Sequence, residues 1–190
     1  MPAQLVLVRH GETTWSEVRK HTGRTDIPLT ETGRAQAQHI AGALQAFDIR
    51  RCLASPLSRA WETAQLIGLA PEPDDDLLEW DYGDFEGLTT AEIRERIPRW
   101  SVWTHPITGG ESIEQVGARA DRMIERLLGL EGTTVLVAHS HLLRILAARW
   151  LELPPVEGRR FTLDNATISV LDWERENRVV TRWNDPAGWG

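Results

Sequence analysis

Three stretches of the chain place groups suited to handling phosphate where an apolar run stops. Arg9-His10 follows Gln4-Leu5-Val6-Leu7-Val8. Ser55 and then Arg59 follow Arg51-Cys52-Leu53-Ala54. His139, Ser140 and His141 follow Thr133-Thr134-Val135-Leu136-Val137-Ala138. An arginine fork donates paired hydrogen bonds to phosphate oxygens and stays charged at any working pH. A neutral imidazole held among such cations can attack phosphorus as a nucleophile. The transferring phosphoryl group carries spread negative charge, so fixed cations stabilise its transition state. Two guanidinium groups and two imidazoles around one crevice would supply that charge without a metal or other cofactor.

For these groups to meet, the elements carrying them must end side by side. Each apolar run is short and reads as a buried strand. Thr30 can cap a helix over residues 30–47, with Glu31 in its first turn and Ala35, Ile40, Ala43, Leu44 and Phe47 on one face. Ser55-Pro56 reads as N-cap and first residue of a helix reaching Ile67. Residues 68–76 leave room for a short edge strand, and 77–88 are irregular and aromatic. Thr89 with Glu92, and Ser112 with Gln115, form capping boxes opening helices that reach Ile97 and Leu128. Residues 140–151 predict another helix, and 168–173 with 179–183 a closing hairpin. The alternation predicts one α/β domain over residues 1–190, a three-layer α/β/α sandwich with a mostly parallel central sheet. In such sheets ligands bind beyond the carboxyl ends of the strands. Helix N-termini following the second and third strands would aim N–H groups at the same anion.

The formal net charge of −7 argues against nucleic acid as a partner, because a nucleic-acid binder carries a basic face. An anionic ligand must instead be drawn in by local cations. No apolar run approaches the ~20 residues of a membrane span, and the first residues do not read as a secretory signal. The expectation is a cytoplasmic protein with a small phosphorylated partner, no membrane partner, and a homodimer left open. The one cysteine, Cys52, excludes an intrachain disulfide and reads as a small core residue.

Leu7-Val8-Arg9-His10-Gly11-Glu12-Thr13 resembles the signature of the histidine phosphatase superfamily, which includes cofactor-dependent phosphoglycerate mutases. Its companions follow in order: Thr22-Gly23 with Asp26 to Thr30 and Gly33; Ser55-Pro56-Leu57-Ser58-Arg59-Ala60 with Thr63-Ala64; Leu78-Glu79-Trp80-Asp81-Tyr82-Gly83 with Glu86-Gly87; Gly110-Glu111-Ser112; and Val137-Ala138-His139. The resemblance implies a phosphoglycerate mutase-like fold and a role for each position. His10 would be the phosphorylated nucleophile. Arg9, Arg59 and His139 would bind the phosphoryl group. Glu79 would be general acid, then base. A carboxyl with a raised pKa can protonate a poor alkoxide leaving group, and Trp80 and Tyr82 are apolar neighbours able to raise it by desolvation. Two positions depart from the family pattern: Ser140 stands where glycine is common, and Ser16 where mutases often carry asparagine.

Phosphatase and mutase share the phosphohistidine step. The resemblance implies that mutases carry a basic insertion after the acid-bearing block. Here only 31 residues (positions 80 to 110) separate Glu79 from Glu111, with three arginines and no lysine, which favours a phosphatase. Mutase-type transfer and a non-catalytic phosphoester-binding module are the alternatives. The segment 79–87, followed by Trp100 and Trp103, is similar to the sedoheptulose bisphosphatase-like branch and to actinobacterial acid phosphatases. A sugar phosphate or similar phosphomonoester is the implied substrate. Ser16, Thr22, Gly23 and Ser140 join the expected substrate-binding set, and Trp15, His21, Trp80, Tyr82 and Trp103 are candidates for a specificity pocket. His141 is a further phosphate ligand or a helix-cap residue. Arg19 and Lys20 meet a second phosphate or are solvated loop charges.

Overall fold

A computed structural model describes residues 3–187. The elements are β1 (Gln4–Arg9), α1 (Thr14–Glu17), α2 (Glu31–Leu44), β2 (Ile49–Ala54), α3 (Ser58–Leu66), β3 (Glu72–Pro73), α4 (Thr90–Arg96), α5 (Ile113–Leu128), β4 (Thr133–Ala138), α6 (Ser140–Trp150), β5 (Ile168–Glu174) and β6 (Asn177–Asp185). The strands form one sheet in the order β3-β2-β4-β1-β5-β6. Pairings from β3 through β1 are parallel, and β5 and β6 add antiparallel.

The period-two alternation of side chains along a strand divides the core into two layers. Leu5, Leu7 and Leu136 face α5 and α6, packing with Val116, Met123, Leu142 and Leu146. Val6, Val8, Val135 and Val137 face α2 and α3, packing with Ala37, Ile40, Ala60 and Ala64. Helices therefore cover both faces of a mostly parallel sheet, as expected. Cys52 is buried in the second layer, where desolvation pushes its thiol up to about 12. Among the described residues, no helix is long and apolar enough to cross a membrane.

The register places the chemistry. Arg9 pairs with Ala138 and Ala54 with Val137. The ladder continues one residue further: the His10 N–H donates to the Ala138 carbonyl and the Ser55 N–H to the Val137 carbonyl, each at 3.0 Å. His10, Ser55 and His139 thus emerge side by side.

Local expectations held at Thr30, which caps α2 by accepting the Gly33 N–H, and at both capping boxes. Three details differ. The buried face of α2 is Gly33, Ala37, Ile40 and Leu44, while Ala35 is exposed. The helix expected from Ser55-Pro56 begins at Ser58, with Leu57 at the cap position and no side-chain cap of its own. The Ser55 hydroxyl is engaged by His139, and Asp26 Oδ1 caps the helix from 32 residues away, accepting the Ser58 N–H (2.9 Å) and hydroxyl (2.7 Å). The single turn of α1, closed by a Thr13–Ser16 capping box, is too short to show periodicity. The edge strand exists as β3, and the stretch after it holds only 3-10 turns at Asp75–Leu77 and Gly83–Phe85.

One close approach ties β1 to α2. A Cβ on Gly11 would lie 2.3 Å from the Gly33 carbonyl oxygen, and one on Gly33 2.2 Å from the Glu12 carbonyl oxygen. Only glycine at both positions lets the loop after β1 sit on the first turn of α2.

Candidate active site

His10 occupies the floor of the site and is 5% exposed. Its Nδ1 lies 2.7 Å from the Gly11 carbonyl oxygen, which can only accept, so Nδ1 carries the proton and Nε2 keeps its lone pair. Burial, then the Arg59 and Arg9 guanidinium charges, hold its pKa well below the usual 6.5. The ring is therefore neutral at neutral pH, in the form a nucleophile needs. Its backbone is pinned from three sides. The Asn165 side-chain amide donates to the His10 and Gly11 carbonyls, both at 3.1 Å. The Ala166 N–H also donates to the His10 carbonyl, and Thr63 Oγ1 accepts the Gly11 N–H.

Arg59 and His139 lie against His10 and are fully buried. The His10 and His139 rings meet edge-on with centroids 5.1 Å apart. Arg59 Nε–H donates to His139 Nδ1 at 3.2 Å, which leaves the His139 proton on Nε2, 2.8 Å from Ser55 Oγ. The rest of the Arg59 fork donates to the carbonyls of Thr22, Gly23 and Thr25, shaping the loop that follows α1. Burial and the nearby arginines hold His139 well below the ordinary histidine range. Arg9 does line the cavity. Its Nη1 donates to the Leu163 carbonyl, its Nε is buried without a partner among the described residues, and desolvation lowers it to about 10 against the opposing pull of Glu79 and Asp164.

Glu79 is 4% exposed and faces the same cavity. Its Oε1 accepts the N–H groups of Trp80 and Leu142, both at 2.9 Å, and its Oε2 accepts that of His141 at 3.1 Å. His139, at the N-cap of α6, makes no side-chain cap. Glu79 supplies it from 60 residues away in sequence, satisfying N–H groups that the helix itself cannot.

Above this floor the cavity has a volume of about 710 Å³. His21, Tyr82, Trp100, Trp103 and His141 form aromatic walls, and Arg19, Lys20, Arg94 and Arg144 stand around them. Tyr82 Oη lies 2.5 Å from His141 Nδ1. Burial, followed by the Glu79 charge, raises the Tyr82 phenol well above 10, while burial and Arg144 hold His141 well below 6.5. The phenol therefore donates, and His141 keeps its proton on Nε2. His21 stacks near His141 with centroids 6.1 Å apart, and burial lowers it to about 4.

Of the residues expected from sequence, Arg9, His10, Ser16, Arg19, Lys20, His21, Thr22, Glu79, Tyr82, Trp103, Ser140 and His141 line the cavity. Arg59 and His139 sit beneath its surface. Trp15, Trp80 and Gly23 are not among its walls. Trp15 covers Gly87 and lies under Lys20, Trp80 is 1% exposed with its indole N–H on the Glu111 carbonyl, and the Gly23 N–H donates to Glu86. Sequence reading missed Arg144, Asn165, Arg94 and Asp164. Arg144 lies four residues beyond Ser140 and so shares its helix face, a usable signal. Asn165 reaches His10 across 155 positions and leaves no local trace.

The model of the histidine phosphatase superfamily (branch 1) matches residues 5–186. The chain belongs to that superfamily. An acid phosphatase of Mycobacterium tuberculosis is 44% identical over 185 residues, covering 93% of this chain and 90% of that protein. A sedoheptulose 1,7-bisphosphatase of Saccharomyces cerevisiae is 36% identical, covering 78% and 67%. The solved structure of an open reading frame of Mycobacterium tuberculosis superposes with a TM-score of 0.92 at 40% identity, covering 96% of this chain and 97% of that one. The expected family and fold are thereby established, and this histidine phosphatase is a phosphomonoester hydrolase.

Proposed function

We propose that this histidine phosphatase hydrolyses a small phosphorylated metabolite, a sugar phosphate or similar phosphomonoester, through a phosphohistidine on His10. The observation that carries the reading is the pairing of His10 Nδ1 with the Gly11 carbonyl. It leaves Nε2 unprotonated at the cavity floor, with two arginines close enough to depress the ring's basicity.

His10 Nε2 attacks phosphorus as the bond from phosphorus to the alcohol oxygen breaks. Arg9 takes the phosphoryl oxygens from the cavity side. Arg59 adds positive potential from beneath, and His139 Nε2–H is held ready by Ser55. Glu79 gives its proton to the departing oxygen. Water then attacks the phosphohistidine, Glu79 takes a proton from it, and the nitrogen–phosphorus bond breaks to release phosphate. The cavity extends well past one phosphoryl group, and its aromatic walls suit a sugar ring. The acid phosphatase and bisphosphatase relatives support hydrolysis, as does the short stretch between Glu79 and Glu111.

His10→Ala is expected to abolish both turnover of a phosphomonoester panel and acid-labile phosphate labelling. Near-wild-type turnover by that variant would refute the mechanism.

A further inference from the structure

Glu79 is delivered to α6 by a segment whose regular structure is limited to the 3-10 turns at Asp75–Leu77 and Gly83–Phe85. A single buried side chain on α5 fixes the path of that segment. Arg119 is 7% exposed, and every one of its five N–H donors is used. Nε–H and one Nη2–H grip the Glu111 carboxylate at 2.8 and 2.9 Å. The two Nη1–H groups donate to the carbonyls of Asp76 (2.8 Å) and Leu78 (2.7 Å), and the second Nη2–H to the carbonyl of Glu79 itself (3.3 Å). Glu111 extends the clamp. Its Oε2 also accepts the Asp81 N–H and the Arg24 guanidinium, its own N–H donates to the Asp81 carbonyl, and its carbonyl accepts the Trp80 indole N–H. Burial works to raise the Glu111 carboxyl, but the hydrogen bonds and charge of Arg119, together with the Asp81 N–H and the Arg24 charge, hold the group below the usual range. The carbonyls of residues 76, 78 and 79 are thus gathered on one guanidinium, while the Glu79 side chain reaches α6.

We propose that Arg119, with Glu111 as its counter-ion, is a positioning residue for the proton donor: it sets the backbone path that aims the Glu79 carboxyl at the leaving-group oxygen. This rests on the reading of Glu79 as that donor. The geometry demands a planar fork. A lysine carries the same charge, but its three donors radiate from one point and cannot serve a bidentate carboxylate and three carbonyls together.

The test compares kcat/KM for an alkyl phosphate, whose alkoxide needs a proton to leave, with that for p-nitrophenyl phosphate, whose phenolate does not. Using kcat/KM excludes the later hydrolysis of phosphohistidine. Arg119→Lys is expected to slow the alkyl ester on the order of 10- to 100-fold, the range for a misplaced acid, and to slow the nitrophenyl ester only about threefold or less by the same argument. Glu79→Gln should split the two esters more widely. The double variant should lose little beyond Glu79→Gln alone, because both changes remove one proton transfer. If Arg119→Lys does not fold, Glu111→Gln replaces it, with the same split expected at smaller size. Equal slowing of both esters beside a split in Glu79→Gln overturns the role of Arg119 and leaves Glu79 as the acid. No split in Glu79→Gln overturns the reading of Glu79, and this inference with it.

Discussion

Acidification should destabilise this protein through His21, and the size of the effect follows from its burial. The ring is 9% exposed, packs on Tyr82 and Trp100, and is lowered from 6.5 to about 4 by desolvation. Between those two values the unfolded chain takes up a proton that the folded protein refuses. The unfolded state binds more protons there, so stability falls as pH falls through this window and stops changing, for this group, below about 4. Binding both states with those pKa values gives a loss of about 2 kcal/mol by pH 5 and about 3 kcal/mol by pH 4. His10, His139 and His141 are shifted the same way, so wild type will fall more steeply than His21 alone requires. The share of His21 is isolated by His21→Phe, which keeps an aromatic ring and removes the titration. Loss of the bond to Thr90 costs about 1 kcal/mol at every pH. Urea unfolding at pH 7 and pH 5 should show the variant gaining about 2 kcal/mol relative to wild type on acidification. Parallel pH dependences in the two proteins would refute the claim that burial keeps this ring neutral.

Two glycines should respond oppositely to alanine. Gly33→Ala drives a methyl into the Glu12 backbone and should cost more than about 2 kcal/mol with loss of turnover, whereas Gly42→Ala in α2 meets nothing within 4 Å among the described residues and should stabilise by about 0.5–1 kcal/mol; thermal melts of both decide it. Asn165→Ala removes the donor shared by the His10 and Gly11 carbonyls and should lower kcat/KM roughly tenfold or more by loosening the nucleophile's turn. Unchanged kcat/KM in that variant would show that the Ala166 and Thr63 bonds suffice.

The amphipathic and β-branched patterns carried the fold into the linear text, because strand and helix periodicity reflect which side chains face the core. Both capping boxes were readable for the same reason: each closes within three residues. The residues after each strand were legible as chemistry, while the family resemblance singled out the acid-bearing block and supplied the roles. Where a hydrogen bond spans distant chain, local reading failed. Ser55 has the right type to cap α3, yet His139 takes its hydroxyl and Asp26 caps the helix instead.

From the sequence alone came the mostly parallel α/β class, the strands that end in Arg9-His10, Ser55 and His139, and, through the family resemblance, the importance of Glu79. Tertiary structure decided which ring nitrogen of His10 is free, that Glu79 caps α6, that Trp15 and Trp80 stay out of the cavity, and that Arg119 holds the acid-bearing segment. The division is physical. Periodicity and composition express a residue's preference for core or solvent, which neighbours in sequence share. Tautomer, burial of a charge and the partner of a polar atom depend on groups brought together only when the sheet has formed.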